Sequence, residues 1–547
     1  MILWCLHALG DSTLAANSAP FHPVPKSPTS ALAITTMKNW LSTCKEKHTA
    51  CSSPAYYFVP SRLIDISSDI DPRIVLRSEV PVQQGYVALS YCWGPQQQQL
   101  ITRNKTLAQY QSRLPVEQLP KTISDAILVT KILGFRYLWI DCFCIVQDNE
   151  QDWIDESREM ENVYGHAELV LAATRASAAT EGFLGTRTSF IEGAVHKFNG
   201  TSDVIHASYR IREKHRKFEP LDSRGWSFQE HVLARRRLSF GTEELQWQCK
   251  ENTSSETKEH TLLSHGQAVL LDSMINDPEK RNIGAWIQNI LKPYLSRKLT
   301  KTSDNLVALS AVASRFSSVF GDTYLAGLWR QDLAQQLTWY STDASSSHPA
   351  SQFAPSWSWA SVSGSLSLYL DNYDGSDQEG LIEAIEASTT SATSNKFGPV
   401  TDGKIKILGK IFTEVMLDSL SYSATIKVDD FKAPYYLDVP VVASIPLQEE
   451  AGAIPYARRV TSDEFKKWND TKENKLGIWP KQSSRAWILP VILSKSIYHY
   501  NCTALILGLS STAPGCFERL GICEFQRLPV EWERFMAKCV EQVIVLV

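Results

Sequence analysis

Three short segments carry most of the polar chemistry in this 547-residue chain. Tyr86-Val-Ala-Leu-Ser-Tyr-Cys-Trp-Gly94 and Leu138-Trp-Ile-Asp-Cys-Phe-Cys-Ile-Val-Gln-Asp148 read as buried strands that run into polar or glycine-containing loops. Arg224-Gly-Trp-Ser-Phe-Gln-Glu230 reads as the start of a helix carrying a carboxylate. Ligands of α/β sheets bind in the crevice at the carboxyl ends of the strands. The three segments can therefore converge on one cleft. Its donors would be Ser90, Tyr91 and Gly94, its acids Asp141 and Glu230. Gln147 and Asp148 are polar groups able to position a sugar, and Arg224 is a guanidinium able to hold a phosphate bidentately. Trp93 and Trp226 are walls or stacking surfaces, and Glu230 is the candidate catalytic acid.

Each of these residues also has a purely architectural reading. A carboxylate near a helix start meets the positive end of the dipole, and Arg224 or the Arg235-Arg-Arg237 run can pair with Glu230. An acid after a strand, such as Asp141, often bonds loop N–H groups. Gln147 and Asp148 can instead fix the loop before the next helix.

The elements that must position these residues alternate. Ser61–Ile66 reads as a short strand, Tyr86–Tyr91 as a strand, and Thr122–Leu133 as a helix with Gly134 as its stop. Tyr137–Asp141 follows as a strand, Trp153–Ala167 as a helix capped by Asp152, and Leu169–Ala173 as a strand. Such alternation predicts a doubly wound, mostly parallel α/β sheet. Beyond it lie a helix over Trp226–Arg235 and a hairpin of Arg237–Phe240 with Leu245–Cys249. Residues 258–345 read as mainly helical, Tyr324–Trp339 included. From 351 onward short β-like runs dominate, such as Ser423–Val428, Ala486–Leu493 and Thr503–Leu509. The expected organisation is a lead-in over 1–80 that packs on an α/β domain over 81–255, a helical region over 256–350, and a β-rich region over 351–547.

Composition narrows the classes. The length exceeds what one core usually supports. A net charge of −4 argues against a nucleic-acid platform, which shows a basic excess. No apolar run approaches a membrane span. The 11 cysteines form no regular disulfide framework, so a reducing, cytoplasmic setting is expected. Cys44-x-x-x-His48-x-x-Cys51 offers three zinc ligands, but no fourth stands nearby and structural zinc takes four; no metal is expected.

These blocks resemble the fungal heterokaryon-incompatibility (HET) domain. The resemblance rests on the lead-in Trp40, Cys44, His48, Cys51 and Arg62-Leu63, on Tyr86–Gly94, Tyr137–Ala173 and Arg224–Arg236, and on the later Asp304–Ser310, Ala326–Trp329 and Pro355–Ser361. HET domains are in turn similar to TIR domains, which have a flavodoxin-like sheet. Trp226-x-x-x-Glu230 has the spacing of the helix bearing the NAD-hydrolysing glutamate of catalytic TIR domains. The resemblance implies a protein of nonself recognition and programmed cell death, with NAD as substrate, no cofactor required, and self-association. A protein partner would bind through the C-terminal region. Cleavage of the nicotinamide–ribose bond passes through an oxocarbenium-like state, as glycoside cleavage does, and one carboxylate with a stacking tryptophan suffices for it. Two alternatives stand beside this one: a small-molecule enzyme of fungal secondary metabolism that reuses the fold, and a signalling module without chemistry.

Overall fold

The computed structural model describes residues 2–8, 24–52, 57–81, 83–95, 100–187, 191–192, 196–197, 204–211, 219–257, 271 and 274–277 of a first compact unit, Met1–Asp277. Of the second unit, Pro278–Val547, it describes 282–299, 301–342, 348–349, 354–368, 378–418, 423–428, 431–438, 441–444, 456–459, 483–496, 499–510 and 512–547.

In the first unit, strand β1 (Ile2–Ala8) pairs antiparallel with a strand at Val204–Ile211, apart from the main sheet. Helix α1 (Ala31–Lys47) begins after Ser30, which caps it by accepting from the Ala33 N–H at 3.2 Å. Its buried stripe is Ala33, Met37, Leu41 and Cys44, the spacing of one helical face. Strands β2 (Arg62–Asp65) and β3 (Arg73–Leu76) form an antiparallel pair. Strand β4 (Tyr86–Ser90) is buried at every position, the pattern of a central parallel strand covered on both faces.

Helix α2 (Leu107–Ser112) precedes α3 (Lys121–Ile132). Gly134, at φ 84°, turns the chain out of α3 and into β5 (Tyr137–Trp139). That strand is shorter than expected. Asp141 lies in the first turn of a one-turn helix, α4 (Asp141–Cys144), on which Cys142 and Cys144 are buried. The expected helix over 153–167 is two helices, α5 (Glu150–Arg158) and α6 (Met160–His166). Asn149 caps α5, its side chain accepting from the Asp152 N–H at 3.2 Å. Asp152 is not free to cap, because its carboxylate accepts from Arg62 at 2.6 Å and from the Val146 N–H at 2.7 Å.

Strand β6 (Leu169–Ala172) completes the central pairings with β4, Ala88 lying against Val170 and Ser90 against Ala172. The segment 175–220 then contributes β7 (Ile191–Glu192), β8 (His196–Lys197) and β9 (Val204–Ile211), which join β1. Helix α7 (Trp226–Leu233) leads into β10 (Arg236–Phe240), which forms the expected hairpin with β11 (Leu245–Cys249); β12 (Thr253–Ser255) lies outside it. The sheet order is β12-β11-β10-β6-β4-β5-β2-β3. The four central strands, β10, β6, β4 and β5, are parallel, and the edges are antiparallel. In chain order those four run second-first-third-fourth from β5, so the order reverses between β4 and β6.

The second unit carries helical turns over 283–295 and a helix at Val307–Phe320, ended by Gly321 at φ 73°. Tyr324–Trp339 is not one helix. Tyr324–Leu325 pairs with Leu328–Trp329 across Ala326-Gly327, both at positive φ, a two-residue hairpin turn. Buried Gln336 holds it, exchanging hydrogen bonds of 2.7 and 2.8 Å with the Trp329 backbone. Among the described residues beyond 378 the unit is β-rich: an 11-stranded sheet includes Val400–Asp418, Ser483–Lys495, Tyr500–Leu509 and Phe517–Arg527. No helix among the described residues is long and apolar enough to cross a membrane.

Candidate functional site

The site lies at the carboxyl end of β4. Ser90, the last residue of that buried strand, donates its hydroxyl to Glu230 Oε2 on the first turns of α7, 140 positions later. Glu230 is half-buried. Its carboxyl is pushed up to about 7, above all because the surrounding protein removes water from the charged form. Arg224, the Ser90 hydroxyl and Arg237 pull the other way, and the nearby Asp141 charge adds to the rise.

Asp141 is raised for the same leading reason, desolvation, with Arg224 opposing it. Trp93 Nε1 donates to Asp141 Oδ2 at 2.8 Å, and the Cys142 N–H donates to Oδ1 at 2.7 Å. The Tyr91 hydroxyl also reaches Asp141, while Arg224 donates to the Tyr91 carbonyl. One guanidinium thus sits within electrostatic reach of two desolvated carboxylates, Asp141 and Glu230. Gly94, at φ 93°, carries the chain away close to Ala178, where an added Cβ would lie 2.6 Å from the Ala178 Cβ.

Ser90, Tyr91, Trp93, Asp141, Arg224 and Glu230 are therefore joined by direct contacts or by charge. Trp226 is half-buried on α7 and meets Trp153 edge-on, with ring centroids 6.4 Å apart. Gln147 and Asp148 are bound elsewhere. The Gln147 amide donates to the Asp141 carbonyl at 3.0 Å and so holds the turn of α4. Asp148 is exposed and accepts from the Asn104 N–H at 2.7 Å. Of the arginine run, Arg235 pairs with Glu168 at 2.9 Å and Arg237 with Asp222 at 3.5 Å.

Two contributors escape sequence reasoning. Buried Tyr164 on α6 reaches the Leu89 carbonyl at 3.3 Å and the Glu230 side chain, and burial holds its hydroxyl well above the usual tyrosine range. Cys92 is buried beside Arg224 and Glu230, and burial pushes its thiol up to about 11. Tyr164 sits on the amphipathic pattern of α6 and carried no signal beyond that of a core aromatic. Cys92 lies inside the opening segment, where a small buried hydrophobe is the ordinary reading.

Residues 86–230 match the family model described as Heterokaryon incompatibility protein (HET). The match opens at Tyr86, the first residue of β4, and closes at Glu230, so it spans both halves of the site. Residues 86–230 are thus a heterokaryon-incompatibility domain. No curated protein and no solved structure matches it.

Proposed function

We propose that this protein acts in fungal heterokaryon incompatibility as a nonself-recognition effector, and that its HET domain is a flavodoxin/TIR-like NAD glycohydrolase with Glu230 as the catalytic carboxylate. The hydrogen bond between Ser90 and Glu230 carries the reading. It joins the end of the first parallel strand to an acid on a later helix, beside the reversal of strand order. In open α/β sheets that reversal is where ligands bind, and second-first-third-fourth is the order of flavodoxin-like sheets.

The chemistry follows from the residues. Arg224 faces the diphosphate, and Trp93 or Trp226 offers a flat surface to the nicotinamide. Glu230, as carboxylate, holds the ribose hydroxyls and faces the positive charge that develops at the anomeric carbon. The bond from that carbon to the nicotinamide nitrogen breaks, and its electron pair leaves with neutral nicotinamide, so no general acid is needed. Water adds to the same carbon, giving ADP-ribose, and its proton passes to Glu230 or solvent. The desolvated setting strengthens each of these electrostatic contacts.

The test is nicotinamide release from NAD by the purified full chain over a series of protein concentrations, since the reading includes self-association. Release that grows more steeply than protein concentration supports it. No release at any concentration overturns it, and leaves the internally bonded Ser90, Glu230, Trp93 and Asp141 as the framework of a signalling module.

A further inference from the structure

The sequence offers three zinc donors at the end of α1 and no fourth nearby; the fold supplies the fourth. Cys44, His48 and Cys51 come together with Cys249, 201 positions beyond His48, and the four ligand atoms lie within 4.8 Å of one another. We propose that these residues form a structural zinc(II) site, a tetrahedron of three cysteines and one histidine that fastens the lead-in segment to the β10–β11 hairpin. It lies outside the stretch matched by the HET family model and does not rest on the nicotinamide reading.

The geometry suits one ion. With bonds of about 2.3 Å to sulfur and about 2.0 Å to nitrogen, a tetrahedral centre sets its donors roughly 3.5–3.8 Å apart. The His48 Nδ1 atom lies 3.3 Å from Cys249 Sγ, a small displacement from that spacing. Such proximity excludes an iron–sulfur cluster, whose cysteines stand farther apart. All three cysteines are buried and carry free thiols, while His48 is half-buried.

The surroundings complement the charge such a site would carry. Three thiolates and a neutral imidazole around zinc(II) carry one net negative charge. Arg236 supplies the opposite charge. Its Nε donates to Cys44 Sγ at 3.1 Å, and its Nη2 to the Cys51 carbonyl at 2.6 Å. Arg236 is the direct cross-strand partner of Cys249, so both side chains leave the same face of the sheet. The backbone N–H groups of Glu251 and Asn252 also point at the Cys249 sulfur. Such outer contacts orient and tune metal ligands. Four protein donors leave no open position, which is the pattern of a structural rather than a catalytic zinc.

The test is metal content of the full chain, purified without chelator and loaded with zinc sulfate under reducing conditions, followed by cobalt(II) exchange. One zinc per chain is expected, together with the intense thiolate-to-cobalt charge transfer and visible bands of a tetrahedral site. Cys249→Ser is expected to lose the zinc, and Arg236→Gln to weaken binding about 10- to 100-fold. If Cys249→Ser does not fold, His48→Cys keeps the question open to measurement, because a site of four cysteines must still bind cobalt with stronger charge transfer. A reduced wild-type chain that takes up neither zinc nor cobalt overturns the proposal. So does stoichiometric zinc in folded Cys249→Ser, or a native disulfide between any two of the three cysteines.

Discussion

Replacing Glu230 by Gln separates the electrostatic reading of the site from a purely steric one. Glutamine keeps the shape and still accepts from the Ser90 hydroxyl, but it never ionises. The wild-type carboxyl ionises near 7 in the folded protein against an ordinary 4.5. Between those values the native state holds a proton that the unfolded chain has released, so stability falls as pH rises. The cost is absent below about pH 4.5, grows through the interval and is complete above about pH 7. At about 1.4 kcal/mol per pH unit, ionisation withholds about 1 kcal/mol near pH 5 and about 3 kcal/mol near pH 8.5. The variant escapes this term, and any fixed penalty from setting its amide near Arg224 cancels in the pH comparison. Urea unfolding of both proteins at the two pH values is the assay. The stability gap should move in favour of Glu230→Gln by about 2–3 kcal/mol between the lower and the higher pH. A gap that stays constant, or moves towards wild type as pH rises, refutes the assignment of Glu230 as a desolvated acid.

Other consequences follow from the same contacts. If carboxylate is the working form of Glu230, kcat/KM for nicotinamide release rises with pH through a midpoint of about 7; a pH profile that falls across that range contradicts it. Gly94→Ala forces a side chain into positive φ against Ala178 and should cost about 1–3 kcal/mol in denaturant unfolding. Gly134→Ala, also at positive φ but with open space around it, should cost less. In the second unit, Arg519 is fully buried, pairs with buried Asp438 at 2.6 Å and lies 3.5 Å over the Trp339 ring. Arg519→Met removes that acid's hydrogen-bonded partner, leaving only the charge of Arg459 near it, and should destabilise by about 3–5 kcal/mol in thermal or urea unfolding, much of it recovered when Asp438→Leu is added.

The parallel centre of the sheet was legible because its strands carry an unmistakable pattern. Tyr86–Ser90 and Leu169–Ala172 are apolar almost throughout, which only a strand covered on both faces tolerates. The meeting of Ser90 with Glu230 follows from the same alternation, since both stand where strands give way to loops and helices. What failed to show was set by contacts distant in sequence. Asp141 reads as the end of a strand until the carboxylate is seen to bind the Cys142 N–H and the Trp93 indole, which fold the chain into a helical turn. Asp152 reads as a cap until Arg62, 90 positions earlier, claims it. Tyr324–Trp339 has helical composition, and the buried Gln336 amide turns part of it into a hairpin. Cys249 carries no local motif, and only the pairing of β10 with β11 brings it to Cys44, His48 and Cys51.

The central claim is that Glu230 performs the chemistry at the end of β4. It is tested most directly by the rate of nicotinamide release from NAD at about pH 8, measured side by side for this chain and its Glu230→Gln variant. The account predicts release by the wild type and a loss of about 100-fold or more in the variant, with its fold intact. Equal release by the two proteins would contradict it.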